Sequence, residues 1–399
     1  MKIAKRIISI LSALALSLVM VNGVFAEKFV EPYQDAGSDK VLADEYRQLF
    51  EKKTITEDGF EITLPYRLYV PENYDENYAY PVILFLHGAG ESGGDNEAQL
   101  NVGMMSPFFE KGYYKQFPCI IVAAQVPNSP SGTIGEWVNT SWKDGSYEIK
   151  DTERTGPTFT EEIQLAKKAV DQTMADYNVD PDRIYVTGIS MGGYGTWNII
   201  THYNKFFAGA MPICGAGDPS KADRLIDMPI WCFHGDEDTA VPVSGSRDMY
   251  NALEALGGTK INYTEWTTGG HAWLPAYVRE DVWTWLFSQS KTTAEVTDLQ
   301  SKLDSLKALS TENMDEAALA KYNYAVSFAE TVINDKAHTA VNVNKAIEIA
   351  DGVLGGKTND PVSGGNGDNN SVIVIVVIGA VALAAVIAVA VLALKKKKA

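Results

Sequence analysis

Cations are scarce in this sequence. Lysine and arginine number 34 against 51 aspartates and glutamates, a formal charge of −17 at pH 7. Binding a phosphate backbone requires clustered cations, so the deficit excludes nucleic acid as a partner. Cysteine is rarer still: Cys119, Cys214 and Cys232 are the whole set. An odd number cannot pair fully within one chain, and their spacing matches no zinc motif. Each sits in or beside a strand-like apolar run and is expected to pack as a buried free thiol. Histidine is limited to His87, His202, His234, His271 and His338, which leaves few choices for a general base. No metal and no cofactor is expected from these patterns.

What is present is a large core between two address-like ends. The 399 residues suggest two or three folded units, and 46% hydrophobic with 21% charged content is ordinary for globular domains. Met1 to Ala26 carry Lys2, Lys5 and Arg6, then an apolar run from Ile7 to Val21 and the ending Val24-Phe25-Ala26. Residues 1–26 therefore read as a secretory signal peptide, with a retained N-terminal anchor as the alternative. Ser371 to Leu394 is uncharged, and as a helix it would span about 36 Å, enough to cross a bilayer with some tilt. Lys395 to Lys398 follow at once, and such cations stay cytoplasmic. No LPxTG-like sorting signal precedes the apolar run, so the helix itself is the expected anchor. Residues 395–399 then form a cytoplasmic basic tail, with the body of the chain outside.

From Phe60 to about Gln289, short β-rich runs alternate with amphipathic segments. Strands are expected at Glu61–Val70, Val82–Leu86, Cys119–Gln125, Ile184–Thr187, Gly209–Ile213, Ile230–Phe233 and Asn262–Thr267. Runs such as Val82-Ile83-Leu84-Phe85-Leu86 are apolar on both faces, as in a strand covered on both sides. Helices are expected from a capping box at Thr158-x-x-Glu161 to about Tyr177, and over Met191–Tyr203, Ser244–Leu256 and Glu280–Ser290. This alternation predicts an α/β fold with a doubly wound, mostly parallel sheet over residues 27–290. Helix-period stripes then predict a three-helix bundle over 291–354: Val296, Leu299, Leu303, Leu306 and Leu309; Leu319, Tyr322, Val326, Ala329 and Ile333; Val343, Ile347 and Ala350. Residues 355–370 are rich in Gly, Asn and Asp and read as a flexible linker.

The chemistry is carried by Gly188-Ile189-Ser190-Met191-Gly192-Gly193, set between an expected strand and an expected helix. G-x-S-x-G in that setting is a nucleophile elbow: a tight turn exposes the serine at a helix N-terminus, where the dipole favours developing negative charge. A serine nucleophile needs a base and an orienting acid. His271, on the glycine-rich loop Thr268-Gly269-Gly270-His271 after the last strand, stands in the right chain order to be the base. The acid lies within His234-Gly235-Asp236-Glu237-Asp238, among three carboxylates that composition does not separate. A metal site from His234, Asp236 and Asp238 has no second histidine to support it. His87 and His234 end strands before glycine and are expected to brace turns; His202 and His338 read as structural. An oxyanion hole would take one N–H from Met191 and one from His87-Gly88-Ala89-Gly90, at Ala89.

At these residues the sequence resembles the α/β-hydrolase superfamily. The similarity rests on Leu86-His87-Gly88-Ala89-Gly90-Glu91-Ser92-Gly93-Gly94-Asp95-Asn96, on the elbow with Tyr194-Gly195-Thr196-Trp197, and on the H-G-x-x-D-x-x-V-P run from His234 to Pro242. Within the superfamily it is similar to secreted esterases and "predicted peptidases" near polyhydroxybutyrate depolymerase-like, feruloyl and acetylxylan esterases. The resemblance implies ester hydrolysis through an acyl-enzyme on Ser190. It also implies that the fifth position of H-G-x-x-D-x-x-V-P, Asp238, is the triad acid, with Asp236 as the fallback. The 291–354 stretch is similar in composition to the FIVAR-type helical modules of bacterial surface proteins.

Substrate contacts are expected from aromatics near the strand ends: Trp137, Trp142 and Tyr147 in the polar insertion from Pro127 to Pro157, with Trp197 and Trp273. Together these features predict an extracellular, membrane-anchored serine esterase acting on an ester substrate, with acylated polysaccharide as the suggested partner. A serine peptidase of the prolyl-oligopeptidase-like kind is the alternative, since fold and triad do not separate ester from amide. A non-catalytic surface binding or adhesion protein on the same fold is the third reading.

Overall fold

The computed structural model describes residues 26–128, 136–139 and 159–355. Residues 1–25, Trp142, Tyr147, residues 356–370, the apolar run 371–394 and the tail 395–399 lie outside the described residues. Among the described residues no helix is long and apolar enough to cross a membrane.

Nine strands form one mixed, mostly parallel sheet: β1 (Glu27–Pro32), β2 (Phe50–Ile55), β3 (Leu64–Tyr69), β4 (Tyr80–Leu86), β5 (Ile120–Ala124), β6 (Val179–Ile189), β7 (Gly209–Ile213), β8 (Ile230–Gly235) and β9 (Ile261–Thr267). Their order is β1-β9-β8-β7-β6-β4-β5-β3-β2, antiparallel only where β3 meets β2 and β5. All seven expected strands are present. The two unforeseen ones, β1 and β2, lie at the sheet edges and are mostly exposed. Glu27-Lys28 and Glu51-Lys52-Lys53 give them charge rather than an apolar signature, which suits an edge that must not recruit another chain.

β4 is buried at all seven residues, and its side chains alternate between two cores. Val82, Leu84 and Leu86 join the cluster on one face of the sheet; Ile83 and Phe85 join the cluster on the other. The longer helices are α1 (Glu161–Asp176), α2 (Met191–His202), α3 (Ser244–Ala255), α4 (Glu280–Phe287), α5 (Thr297–Lys307), α6 (Glu316–Ile333) and α7 (Ala340–Leu354). α1 begins two residues later than the expected capping box: Thr160 is the N-cap, accepting the Ile163 amide at 3.3 Å. Cys119, Cys214 and Cys232 are all buried and unpaired.

The three expected C-terminal helices are α5, α6 and α7, and the described chain through Leu354 belongs to one compact unit. Only Leu306, Ala325 and Ala350 form a small core of their own, whereas Leu299, Leu303, Phe328, Val332, Val343 and Ala346 join the large cluster of the sheet. Polar contacts fasten the helices at the starts of β4 and β6. Arg183 donates to both Asp335 carboxylate oxygens at 2.6 and 3.0 Å, Tyr78 also donates to Asp335, and the Asn342 side chain pairs with both backbone groups of Ala79. The composition change near residue 290 thus marks a change of element type within a continuous core.

Candidate active site

The opposite, C-terminal ends of the strands carry the expected chemistry. β6 runs straight into α2 with Ser190 between them, at φ 54° and ψ −120°. A non-glycine residue in that region is strained and needs its surroundings to hold it. Two glycines make the turn possible. A Cβ at Gly188 would drive into the Gly192 carbonyl, and one at Gly192 into the Leu86 carbonyl. The Ser190 amide is tied to the Ile213 carbonyl of β7 at 3.0 Å.

Ser190 Oγ lies 2.9 Å from His271 Nε2, and His271 Nδ1 lies 2.6 Å from Asp238 Oδ2. Nδ1 faces a carboxylate and so carries the ring proton, which leaves Nε2 free to accept from the serine. The sequence left three carboxylates open after β8, and geometry separates two of them. Asp236 instead accepts the Thr268 amide at 2.7 Å and braces the loop that carries His271. Asp238 is held on its other oxygen by the amides of Ala240 and Val241, at 2.8 and 2.9 Å. Burial opposes its charge, but hydrogen bonds from His234 and His271 outweigh this and hold the carboxyl well below the usual range. Burial likewise disfavours the His271 imidazolium, yet Cys214 and Asp238 beside it raise its pKa above the ordinary 6.5.

Two of these neighbours were not foreseen as parts of the site. His234 is fully buried, with Nε2 3.3 Å from Asp238 Oδ2 and 2.9 Å from the Val241 carbonyl. It braces the turn, as expected of it, and holds Asp238 as well. Cys214 directly follows β7 with φ 41°, and its Sγ accepts the Ser190 amide at 3.3 Å. Its position just past β7, beside the elbow strand, was the available signal. Among the described residues, Cys214, Asp238 and His271 also bring ligand-type atoms within 4.8 Å of one another. The carboxylate and imidazole of that group are already hydrogen-bonded to each other, and a cation would have to displace the proton between them.

Ala89 and Met191, the expected oxyanion donors, are each the first residue of a helical turn: Ala89–Glu91 and α2. First-turn N–H groups have no intrahelical acceptor. The expected aromatics divide. Trp273 lies at the site, its ring 5.6 Å from that of His271 and nearly perpendicular, its Nε1 donating to Asp39 at 2.9 Å. Burial raises the Asp39 carboxyl, and nothing in the N-terminal sequence signalled this residue. Trp137 and Trp197 are corrections: both are completely buried, so neither has a face to offer a substrate. Trp137 packs against His87 and donates to the His87 carbonyl at 3.0 Å. Trp197 points into the core from α2. Trp142 lies outside the described residues.

A mostly parallel sheet with a strained serine at a strand–helix elbow defines the α/β-hydrolase class. Residues 74–280, just over half of the chain, match the phospholipase/carboxylesterase family, and the chain belongs to it. It is similar to a crystallised thermostable esterase, at 36% identity and a TM-score of 0.54 over 62% of this chain and 64% of that one. It is 45% identical over 67 residues to poly(3-hydroxyalkanoate) depolymerase C of Paucimonas lemoignei, covering 17% of this chain and 16% of that protein. It is 24% identical over 201 residues to the "Probable feruloyl esterase C" of Aspergillus flavus, covering 50% of this chain and 63% of that one. The chain spans less than two thirds of each of these proteins.

Proposed function

We propose that the protein is a serine carboxylic-ester hydrolase that works through an acyl-enzyme on Ser190. The observation that carries this reading is the unbroken relay of Ser190, His271 and Asp238, at 2.9 and 2.6 Å, on a strained elbow. Ser190 Oγ attacks the ester carbonyl as its proton passes to His271 Nε2, and Asp238 stabilises the resulting imidazolium. The amides of Ala89 and Met191 receive the oxyanion. Collapse expels the alcohol, which takes the proton from His271; water then repeats the sequence and releases the acid. No metal or cofactor enters these steps.

The substrate class we infer is short acyl or hydroxycinnamoyl esters on carbohydrate. Support comes from the family, from the relatives named for feruloyl ester and polyester cleavage, and from Trp273, whose flat face beside His271 suits a sugar or aromatic acyl group. We also infer export by residues 1–26 and tethering by residues 371–394, from their charge and apolar patterns.

A panel of acetyl, feruloyl and long-chain p-nitrophenyl esters, acylated xylan and peptide amides tests the reading. Faster turnover of the short and feruloyl esters is expected. Faster turnover of peptide amides would replace it with the peptidase reading, and no turnover of any member would replace it with a binding role.

A further inference from the structure

The peptide that offers the Ala89 N–H is hinged at a glycine. Gly88 adopts φ −77° and ψ −179°, and a Cβ there would meet the Glu91 Oε2 at 3.2 Å. Turning the Gly88–Ala89 peptide over changes ψ at Gly88, where the absence of a side chain opposes it little, and φ at Ala89. A turned peptide would present the Gly88 carbonyl to the site, where a developing oxyanion would meet repulsion instead of a donor.

The geometry points to His87 as the latch that prevents this. Its ring is completely buried and bridges two backbone groups of fixed character. Nε2 lies 2.9 Å from the Val126 amide, which can only donate, so Nε2 is unprotonated. Nδ1 lies 2.5 Å from the Gly88 carbonyl, which can only accept, so Nδ1 carries the proton. Because a trans peptide is planar, its C=O and N–H point in opposite directions. Holding the Gly88 carbonyl against His87 therefore aims the Ala89 N–H the other way. The Glu91 amide, 3.4 Å from the same carbonyl, adds a weaker hold. Trp137 completes the device by donating to the His87 carbonyl at 3.0 Å and packing on its ring. Desolvation lowers the His87 pKa to about 4, so the latch keeps one protonation state across the neutral range.

His87 is thus a positioning residue for the oxyanion hole, an inference that rests on the esterase reading above. In His87→Leu, kcat should fall by about 10²–10³ with KM nearly unchanged, the loss expected for one oxyanion donor. Inhibition by an alkyl trifluoromethyl ketone, which forms an oxyanion on the serine, should weaken by a similar factor. His87→Gln, which keeps a donor and an acceptor, should fall between Leu and wild type in both measurements. A folded His87→Leu protein with wild-type kcat and ketone affinity would overturn the latch. Should that variant not fold, ¹⁵N-histidine NMR of the full wild-type chain decides: Nδ1–H with bare Nε2 at pH 7 is expected, and Nε2–H would overturn it. The NMR reading is independent of turnover, whereas wild-type protein that hydrolyses no ester and takes up no fluorophosphonate sinks the esterase reading instead.

Discussion

Both ends of the parallel strands bury polar side chains, to opposite effect. Where β4 and β6 begin, Arg183 and Asp335 meet in a two-point ion pair with Tyr78, and Thr339 donates to Asp180 at 2.5 Å. Every proton there has a fixed home, and the result is a clamp holding α6 and α7 against the sheet. Where β6, β8 and β9 end, Ser190, His271 and Asp238 stand in a hydrogen-bonded row, with positive-φ backbone at Ser190, Cys214 and Thr268. Buried polarity alone does not mark a catalytic site. What separates the two ends is an imidazole nitrogen within reach of a hydroxyl, and a serine on strained backbone.

The largest effect is expected at Ser190. Ser190→Ala should lower kcat by about 10⁶ and leave Tm within a few degrees, because triad members act as a unit. Asp238→Asn should cost about 10⁴ in kcat by favouring the wrong His271 tautomer, while Asp236→Asn, which loosens only the Thr268 turn, should cost far less. Steady-state kinetics on a p-nitrophenyl ester read both; the reverse order for the two aspartates would return the orienting role to Asp236.

At the clamp the effect should move from rate to stability. Asp335→Ala strands the Arg183 guanidinium, whose side chain is 2% exposed, and should cost about 3–5 kcal/mol in denaturant unfolding. Activity per folded molecule should stay near wild type. The paired change Arg183→Met with Asp335→Leu should recover much of the loss, since a packed apolar pair avoids the desolvation penalty.

The smallest expected effect is a pH shift. His271 must be neutral to accept the serine proton, and its pKa is raised above 6.5. The acid limb of kcat/KM should therefore lie above pH 6.5, with activity rising into the alkaline range. Stability runs the other way. The His271–Asp238 pair stabilises the fold fully between the ordinary values of its two groups, 3.8 and 6.5, and fades as pH rises through the raised histidine pKa or falls through the lowered carboxyl pKa. Cys214→Ala should move the limb toward 6.5, and an unmoved limb would remove Cys214 from the tuning of the base.

The central strands were legible because burial on both faces leaves continuous apolar runs such as Val82–Leu86. The edges β1 and β2 were not, since an exposed strand has no such run, and the pairing of β1 is set by a partner far along the chain. Ser190 and His271 were legible because the elbow and the last loop impose local spacing. Asp238 came only through family resemblance, for composition offers no way to tell which carboxylate of Asp236-Glu237-Asp238 turns inward. Trp137 and Trp197 show the converse limit: a tryptophan near a strand end carries no sign of whether it faces solvent or core. Asp39 joins Trp273 across more than 200 residues of chain, a pairing that only the folded sheet creates.

The central claim is that Ser190 is a nucleophile activated by His271. Treating the native protein with a fluorophosphonate probe and mapping the adduct by peptide mass spectrometry tests it most directly. The account predicts one adduct, on Ser190, greatly slowed in His271→Ala. An adduct on another residue, or none on folded wild-type protein, would contradict it.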